Sequence, residues 1–251
     1  MNRALLHSVF AGALISFSNH AAAKEASKPV EAAIAAHVKN DHQRALALLK
    51  ETVDINSGTM NFAGVRNVGS VFEREFKALG FSTRWIDGKA FNRAGHLVAQ
   101  YGTSGPRILL IGHLDTVFAE DSPLQKMQVL SNGKASGPGV TDMKGGDVII
   151  IHALRALQDS GQLRNMSIRV VLTGDEENSG DPSALSKQAL QEAGEWADIA
   201  MGFEDGDGNP KTAAISRRGA SGWQLEVKGK PAHSSQIFQP NVGDGAIFEA
   251  A

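Results

Sequence analysis

Four consecutive apolar residues, I-L-L-I at 108–111, begin the most informative pattern in the chain. A short apolar run of this kind is typical of a strand that is buried on both faces of a sheet. Gly112 follows the run, and His113 and Asp115 come directly after it. Ligands and catalytic groups gather where parallel strands end, so the pattern favours a functional site. Because a capped strand end would look the same locally, the interpretation depends on the segments that follow.

Two later apolar runs have the same character, and acidic residues follow each of them. Residues 168–172 lead into Glu176 and Glu177, and residues 199–203 lead into Glu204. Helical spacing of apolar residues separates these runs. Strands and helices therefore alternate, which predicts an α/β fold with a mixed sheet and helices on both faces.

The segment before the first run carries helix and strand signals without recognisable chemistry. Apolar spacing predicts two short helices or one broken helix over 28–53, and a further helix over 61–79. Gly80 is suited to end that helix as a C-terminal cap. Candidate strands follow at 81–85 and 96–101. These elements are interpreted as scaffold.

The pattern changes near Lys211. Residues 215–219 and 223–227 alternate apolar and polar positions with a period of two, which predicts a half-exposed antiparallel sheet. We therefore predict a main α/β domain over 24–211 and the first part of a smaller α+β domain over 212–251. The last residues of the chain resemble the start of a helix.

Six polar residues that follow strands or lead into helices form a candidate site. They are His113, Asp115, Asp142, Glu176, Glu177 and Glu204. Carboxylates that converge on one edge of a sheet repel one another, and a bound cation removes that repulsion. Since the chain contains no cysteine, oxygen and imidazole ligands must hold the metal, which favours zinc, manganese or cobalt. Two metals roughly 3.5–4 Å apart can share a bridging carboxylate.

The adjacent pair Glu176 and Glu177 supports this interpretation. Neighbouring side chains on an extended chain point to opposite sides, so one glutamate can bind metal while the other faces a substrate. A solvated acidic loop would explain any one of the acidic residues alone. It does not explain their placement at successive strand ends.

The N-terminus has the three parts of a secretory signal peptide. A short basic start precedes an apolar run over 4–17, and three alanines precede Lys24. We predict a signal peptide over 1–23 that is cleaved after Ala23, and hence a secreted protein, periplasmic if the source is Gram-negative. An uncleaved anchor helix is the alternative, but the run is short for a bilayer span.

Composition argues against several other classes of function. The 251 residues are 42% hydrophobic and 21% charged, as in soluble globular proteins. A net charge of −2 gives no electrostatic basis for binding nucleic acid or an anionic membrane. The glycines around Asp142 raise a nucleotide-binding module as an alternative. However, neither G-x-G-x-x-G after a strand nor G-x-x-x-x-G-K-[ST] occurs.

Five motifs occur in a fixed order along the chain. They are G-H-L-D-T-V at 112–117, G-P-G-V-T-D-M-K-G-G at 137–146, T-G-D-E-E at 173–177, G-F-E at 202–204 and G-K-P-A-H-S-S at 229–235. Together they resemble the aminoacylase and glutamate carboxypeptidase family of di-zinc metallopeptidases, from about residue 38 to the end. The resemblance implies a zinc-exopeptidase-like catalytic domain, followed by a smaller lid domain that mediates formation of a homodimer in the full-length protein.

The resemblance also implies two zinc ions and a ligand set for them. His113 and Glu204 would bind one zinc ion. Glu177 would bind the other, and Asp142 would bridge the two. A cis peptide bond is implied directly after Asp142.

Three further residues receive catalytic or supporting roles from the resemblance. Glu176 would act as the general base, taking a proton from the attacking water and returning it to the leaving amine. Asp115 would accept a hydrogen bond from the His113 ring and so fix its tautomer. His233, in the lid domain, would reach the active site of a partner subunit and stabilise the oxyanion.

One histidine of the family pattern has no counterpart here. In the family, the catalytic domain resumes after the lid and supplies a further histidine to the second metal, and none of the eight histidines fits that place. The resemblance therefore implies a C-terminally truncated sequence with one zinc site incomplete and the substrate-binding arginine missing. A catalytically inactive fragment that binds metal or dimerises is the corresponding alternative.

The expected activity is hydrolysis of an amide bond next to a free carboxylate, most like that of a glutamate carboxypeptidase. The D-M-K-G-G form of the motif at 142–146 and the S-R-R-G sequence at 216–219 favour this branch. The expected substrate is a small peptide or an N-acyl amino acid. An N-acyl amino acid deacylase or a dipeptidase of the same family is the second candidate.

Overall fold

The computed structural model describes residues 18–209, 211–216, 219, 222–236 and 238–251. The chain divides into two compact units after Asp205, whereas the sequence predicts a boundary at Lys211. No described helix is long and apolar enough to cross a membrane. Residues 1–17 of the predicted signal peptide lie outside the described residues.

In the first unit three helices and five strands come before an alternating segment of two helices and two strands, and a last helix lies in the second unit. The helices are α1 (Ser18–Asn40), α2 (His42–Val53), α3 (Phe62–Ala78), α4 (Lys144–Asp159), α5 (Ser183–Trp196) and α6 (Ala246–Ala250). The strands are β1 (Ser82–Asp87), β2 (Gly95–Tyr101), β3 (Arg107–His113), β4 (Gln128–Val129), β5 (Ala135–Ser136), β6 (Ser167–Thr173) and β7 (Ile199–Gly202). Short 3₁₀ helices occur at Lys89–Phe91, Ser131–Gly133, Leu163–Asn165 and Ser234–Gln236.

Five strands form a mixed sheet in the order β1-β2-β6-β3-β7. The first three strands in that order pair antiparallel, and β3 runs parallel to both β6 and β7. His113 pairs with Thr173, and Ile111 pairs with Gly202. The carboxyl ends of β3, β6 and β7 therefore lie side by side at one edge of the sheet. The predicted mixed α/β fold is confirmed.

Helices cover both faces of this sheet. Phe72 of α3 and Ile151 of α4 belong to the same buried cluster as Leu110 of β3. On the other face, Leu109 of β3 clusters with Ala193 of α5. Because neighbouring side chains on a strand point to opposite faces, the apolar run at 108–111 serves both cores. This explains why the run has no polar position.

The predicted helix over 61–79 is confirmed as α3, and the local chemistry sets its ends. The Asn61 side chain accepts a hydrogen bond from the main-chain N–H of Gly64 at 2.9 Å, which caps the first turn. Gly80 has a φ of +80°, a conformation that favours glycine and ends the helix. The chain can then turn directly into β1.

The prediction of strands at 215–219 and 223–227 is wrong for the described residues of these ranges. The described part of the second unit, from Gly206 onward, contains a 3₁₀ turn and α6 but no strand. Trp223, an apolar position of the predicted alternation, is 86% exposed. Period-two alternation stabilises a strand only when a neighbouring strand pairs with it and one face is covered. Neither condition is met among the described residues of this unit.

Candidate active site

His113 is the last residue of β3, and its buried ring faces two carboxylates. The Nε2 atom lies 3.0 Å from Oδ1 of Asp142 and 3.3 Å from Oε1 of Glu204. The His113 side chain is 1% exposed, whereas those of Asp142 and Glu204 are 54% and 41% exposed. The ring therefore lies beneath the site, and the two carboxylates open toward solvent.

These three side chains fit a divalent metal ion. One ligand atom from each of His113, Asp142 and Glu204 lies within 4.8 Å of the other two. One imidazole and two carboxylates form a donor set that zinc accepts in catalytic sites. The geometry therefore places three of the four predicted metal ligands around one position.

The same arrangement alters the acidity of His113. Burial disfavours the charged ring, but hydrogen bonding to Asp115 and Glu204 outweighs it and raises the pKa of His113 to about 11. At neutral pH the ring in the metal-free chain consequently carries a proton between the carboxylates. A bound cation would replace that proton.

Asp115 is fully buried, and its carboxylate accepts three hydrogen bonds. The Thr59 hydroxyl donates at 2.7 Å, and the main-chain N–H groups of Glu176 and Glu177 donate at 3.0 and 3.1 Å. Burial alone would favour the neutral acid, but the adjacent His113 ring and the hydrogen bond from Thr59 hold the pKa of Asp115 below its usual value. Asp115 is therefore an anion that ties the end of β3 to the loop after β6.

The sequence predicts that the His113 ring donates to the Asp115 carboxylate, but the shorter contact is with the Asp115 main-chain oxygen. Nδ1 of His113 donates to the main-chain oxygen of Asp115 at 3.0 Å, and the nearest carboxylate oxygen lies at 3.4 Å. The carbonyl oxygen can only accept, so this bond keeps a proton on Nδ1 and leaves Nε2 for a metal. The ring is oriented by the predicted residue, but mainly through its backbone.

Asp142 lies in the turn before α4, and the implied cis peptide bond is confirmed between Asp142 and Met143. Gly139 in this turn has a φ of +75°, and an added Cβ would come within 2.7 Å of the Thr116 side chain. Only glycine fits this position without a shift. The glycines around Asp142 thus bring the turn close to the loop after β3.

Lys144 anchors the same turn from below. Its side chain is fully buried, and Nζ donates to the main-chain oxygens of Thr52 and Ile55, each at 3.0 Å. Burial lowers the pKa of Lys144 to about 7, against the opposing charges of Asp147 and Asp54. The Lys144 amino group therefore links the end of α2 to the start of α4.

Glu176 and Glu177 follow β6, with their main chains fixed by Asp115. Burial, together with the nearby charge of Asp142, raises the pKa of Glu177. Glu177 also lines a cleft of about 360 Å³ whose walls come from 58–61 and from the loop that begins at Thr116. The structure therefore brings Glu177 close to the proposed metal ligands and to an open cleft.

Comparison with known families identifies the family to which the chain belongs. Residues 109–241 match the peptidase family M20/M25/M40. The chain belongs to this family. The matched segment contains the three residues that surround the candidate metal position, together with Asp115 and both glutamates of the loop.

Two curated relatives illustrate the relationship within the M20 family. Carboxypeptidase G2 of Pseudomonas sp. (strain RS-16) is 29% identical over 213 residues, 84% of this chain and 50% of the relative. A probable succinyl-diaminopimelate desuccinylase of Staphylococcus epidermidis is 30% identical over 165 residues, 63% of this chain and 38% of the relative. The chain thus spans half or less of the length of these relatives.

Solved structures support the fold. Human carnosine dipeptidase 1 superposes with a TM-score of 0.59 at 19% identity, over 69% of this chain and 40% of that chain. The dipeptidase Dug1p of Saccharomyces cerevisiae gives a TM-score of 0.58 at 17% identity, over 68% of this chain and 40% of that chain. At this identity the likeness concerns the M20 catalytic-domain fold alone.

Sequence reasoning missed a buried acid beneath the M20 site, Asp147 of α4. Both of its carboxylate oxygens lack a hydrogen-bond partner among the described residues, and burial raises its pKa well above the usual value. An added Cβ on Gly112 would come within 2.1 Å of Oδ1 of Asp147. The signal available in the sequence was an aspartate at the start of an otherwise apolar helical run.

His233 lies in the second unit, away from the chain segments that build the site in sequence. Its Nδ1 atom accepts a hydrogen bond from the main-chain N–H of Ser235 at 3.2 Å and lies 2.9 Å from the Ser235 hydroxyl. The side chain is exposed. The role that the family resemblance implies for His233 stays a prediction.

Proposed function

We propose that this chain is part of a zinc-dependent hydrolase that cleaves an amide bond next to a free carboxylate, most like a glutamate carboxypeptidase. The observation that carries the proposal is the convergence of His113, Asp142 and Glu204 beside the glutamate pair that Asp115 fixes. The 29% identity to a relative named carboxypeptidase G2 supports the choice of substrate class.

The residues in place would hold one zinc ion and part of the ligand shell of a second, with one shared ligand. His113 and Glu204 would hold the first ion, and Glu177 would contribute to the second. Asp142 would lie between them. When bound, zinc supplies Lewis acidity, which polarises the substrate carbonyl and increases the acidity of water.

In this proposal Glu176 is the group that moves a proton. Its carboxylate takes a proton from the water that attacks the amide carbon, and it returns that proton to the leaving nitrogen. Asp115 holds the main-chain N–H of Glu176 at 3.0 Å, which limits the positions that the carboxylate can reach. The buried His113 ring, held through Nδ1, keeps Nε2 directed at the site.

A deacylase or dipeptidase is the second candidate. The relative of 30% identity is named a succinyl-diaminopimelate desuccinylase, an activity on an N-acyl group. Release of free glutamate from N-acyl-glutamate and from short peptides, compared with release from other acyl amino acids, separates the two candidates. A preference for glutamate at the released position supports the carboxypeptidase.

Export and assembly are further parts of the proposal. The basic start, apolar run and alanine site of residues 1–23 support secretion, to the periplasm in a Gram-negative source. The G-K-P-A-H-S-S motif that contains His233 supports a homodimer of the complete protein. Mass analysis of the exported protein tests cleavage after Ala23, and sedimentation tests the dimer.

The central test compares Glu176→Gln with Glu195→Gln, which changes an exposed glutamate of α5. We expect the zinc-loaded wild-type chain and Glu195→Gln to hydrolyse N-acyl-glutamate. In Glu176→Gln, kcat should fall by about 10²–10⁴-fold, the typical contribution of a general base. The zinc content per chain, measured by atomic absorption, should stay at the wild-type value.

Two results would contradict this proposal. Hydrolysis by Glu176→Gln at the wild-type rate would remove Glu176 as the base. A wild-type chain that binds zinc but hydrolyses none of the substrates would show that this polypeptide lacks the activity.

A further inference from the structure

Three buried side chains outside the candidate metal site form a polar network under the glutamate loop. His96 lies on β2, Asp175 follows β6, and Ser186 lies in the first turn of α5; each is at most 1% exposed. The proposed mechanism uses none of them. Burying three polar side chains is unfavourable unless they are hydrogen-bonded, so their partners show what the network holds in place.

The bonds of the His96 ring fix its tautomer. The main-chain N–H of Gly174 donates to Nδ1 at 3.1 Å, so Nδ1 carries no proton. Nε2 lies 2.9 Å from the main-chain oxygen of Ser186, which can only accept, so Nε2 carries the proton. Burial, which disfavours the charged ring, lowers the pKa of His96. A neutral ring thus connects the end of β6 to α5.

Asp175 continues the connection on the other side of the glutamates. Its Oδ2 atom accepts from the Ser186 hydroxyl at 2.5 Å and from the main-chain N–H of Gly180 at 2.7 Å. Gly174 therefore anchors the loop before Glu176, and Gly180 anchors it after Glu177. An added Cβ on Gly174 would come within 2.3 Å of the main-chain oxygen of Gly95, so the loop also packs tightly on β2.

Phe91 covers one face of the His96 ring. Its ring stacks on His96 with a centroid distance of 5.1 Å and an interplanar angle of 14°. The main-chain oxygen of Phe91 accepts a hydrogen bond from the main-chain N–H of Asp181 at 3.0 Å. The His96 ring is thus confined on one face by an aromatic ring and at both nitrogens by main-chain groups.

We propose that His96, Asp175 and Ser186 are positioning residues that set the main chain of Glu176 and Glu177, with His96 acting as a neutral, two-ended connector. Asp115 holds the N–H groups of the two glutamates from one side. The network holds Gly174 and Gly180 from the other. The inference rests on the proposed function for the roles of base and metal ligand, but the geometry it predicts exists without substrate.

Two substitutions at His96 separate its two ends. In His96→Asn, the amide oxygen can take the place of Nδ1 and still accept from Gly174, but it cannot reach Ser186. In His96→Gln, the amide lies near the position of Nε2, so the acceptor for Gly174 is lost. The proposal expects the glutamine variant to release the loop at Gly174, and the asparagine variant, which loses only the α5 end, to release it less.

Amide hydrogen exchange in the metal-free 251-residue chain is the first readout. The N–H groups of Glu176 and Glu177 should exchange at least about tenfold faster in His96→Gln than in wild type, because the loop opens locally. Val170 in the core of β6 is the reference and should change by less than about threefold. In His96→Asn the two glutamate amides should accelerate by less than in His96→Gln, and Val170 should stay near its wild-type rate.

Zinc affinity, measured by competition with a chromophoric chelator, is the second readout. It should fall by about 10–100-fold in His96→Gln, as is typical when the groups that orient metal ligands are lost. Ser186→Ala, which removes one hydroxyl donor to Asp175, should move both readouts in the same direction by less. This variant keeps the test available if a His96 variant does not fold.

The proposal is overturned if Glu176 and Glu177 exchange at wild-type rates in both His96→Gln and Ser186→Ala. It is also overturned if Val170 accelerates as much as the two glutamates, because the residues would then support only the global fold. A chain that shows the expected exchange pattern but hydrolyses no substrate would contradict the proposed function and leave the positioning role supported.

Discussion

Asp115 and Asp142 contact opposite nitrogens of the His113 ring, and they differ in burial and in their hydrogen-bond partners. Asp115 is fully buried and accepts three hydrogen bonds from the protein. Asp142 is 54% exposed and contacts Nε2 of His113. The protein thus directs its own donors to the buried carboxylate. The exposed carboxylate keeps lone pairs available to a cation.

The two aspartates also differ in what their loss would affect. Loss of a buried anion with three donors should lower stability, because it leaves polar groups without partners in the interior. Loss of an exposed ligand should mainly weaken metal binding, because solvent can take over its place. Stability and metal binding should therefore be separable by mutation at two residues that contact the same ring.

The largest expected effect is on the stability of Asp115→Ala. Leaving the Thr59 hydroxyl and two main-chain N–H groups unpaired should lower the free energy of unfolding by about 3–5 kcal/mol. For a chain of this size that corresponds to a decrease in Tm of roughly 10 °C. Asp142→Ala should lose less than about 1 kcal/mol. Circular dichroism melts in the presence of EDTA measure both, and equal losses would contradict the comparison.

The next effect concerns metal binding and the proton on His113. Zinc should raise the Tm of the wild-type chain and of Asp159→Ala, an exposed carboxylate at the other end of α4, but not of Asp142→Ala. Since the neighbouring carboxylates raise the pKa of His113 to about 11, well above the ordinary value for histidine, the metal-free ring is charged at neutral pH. Zinc should release about one proton per chain at pH 7.

Calorimetry in two buffers with different ionisation enthalpies measures this release. The sign follows from the raised pKa: the charged ring stabilises the metal-free fold fully below about pH 6.5, and that stabilisation disappears as the pH rises through about 11. Proton release should therefore decrease at alkaline pH. Zinc binding without any release of protons would show that the ring is already neutral.

The smallest effect tests a single donor to Asp115. Thr59→Val removes the hydroxyl that lies 2.7 Å from the carboxylate and should cost about 1 kcal/mol. Thr59→Ser keeps the donor and should stay closer to wild type. Urea unfolding of both variants gives the difference. A valine variant as stable as the wild type would show that the Thr59 hydroxyl contributes no net hydrogen-bond energy at this position.

Most of the sheet could be predicted from local pattern. The run at 108–111 is apolar at every position, and the run at 168–172 at every position except Arg169, because both faces of β3 and β6 are covered. The pattern at 223–227 was equally regular but produced no strand among the described residues. Alternation of apolar and polar residues indicates which side of a strand could be buried. It does not indicate whether a partner strand is present.

The candidate ligands could be predicted because they follow strands that end at one edge or lead into a helix. Apart from Asp115, their supporting residues could not. Thr59 reaches Asp115 across 56 positions of sequence, and His96 reaches Ser186 across 90. Such contacts have no local signature, since a threonine in a turn or a histidine in a strand is ordinary. They become visible only when the folded chain brings the two segments together.

Lys144 makes the shape of the site depend on a contact between distant parts of the sequence. It lies two residues after Asp142, yet its hydrogen bonds reach carbonyl groups 92 and 89 positions earlier in the sequence. Contacts of such long sequence separation form slowly, because a long loop must close first. The segment around Asp142 therefore cannot adopt its shape as an isolated peptide. It depends on helix α2, which contributes no ligand to the site.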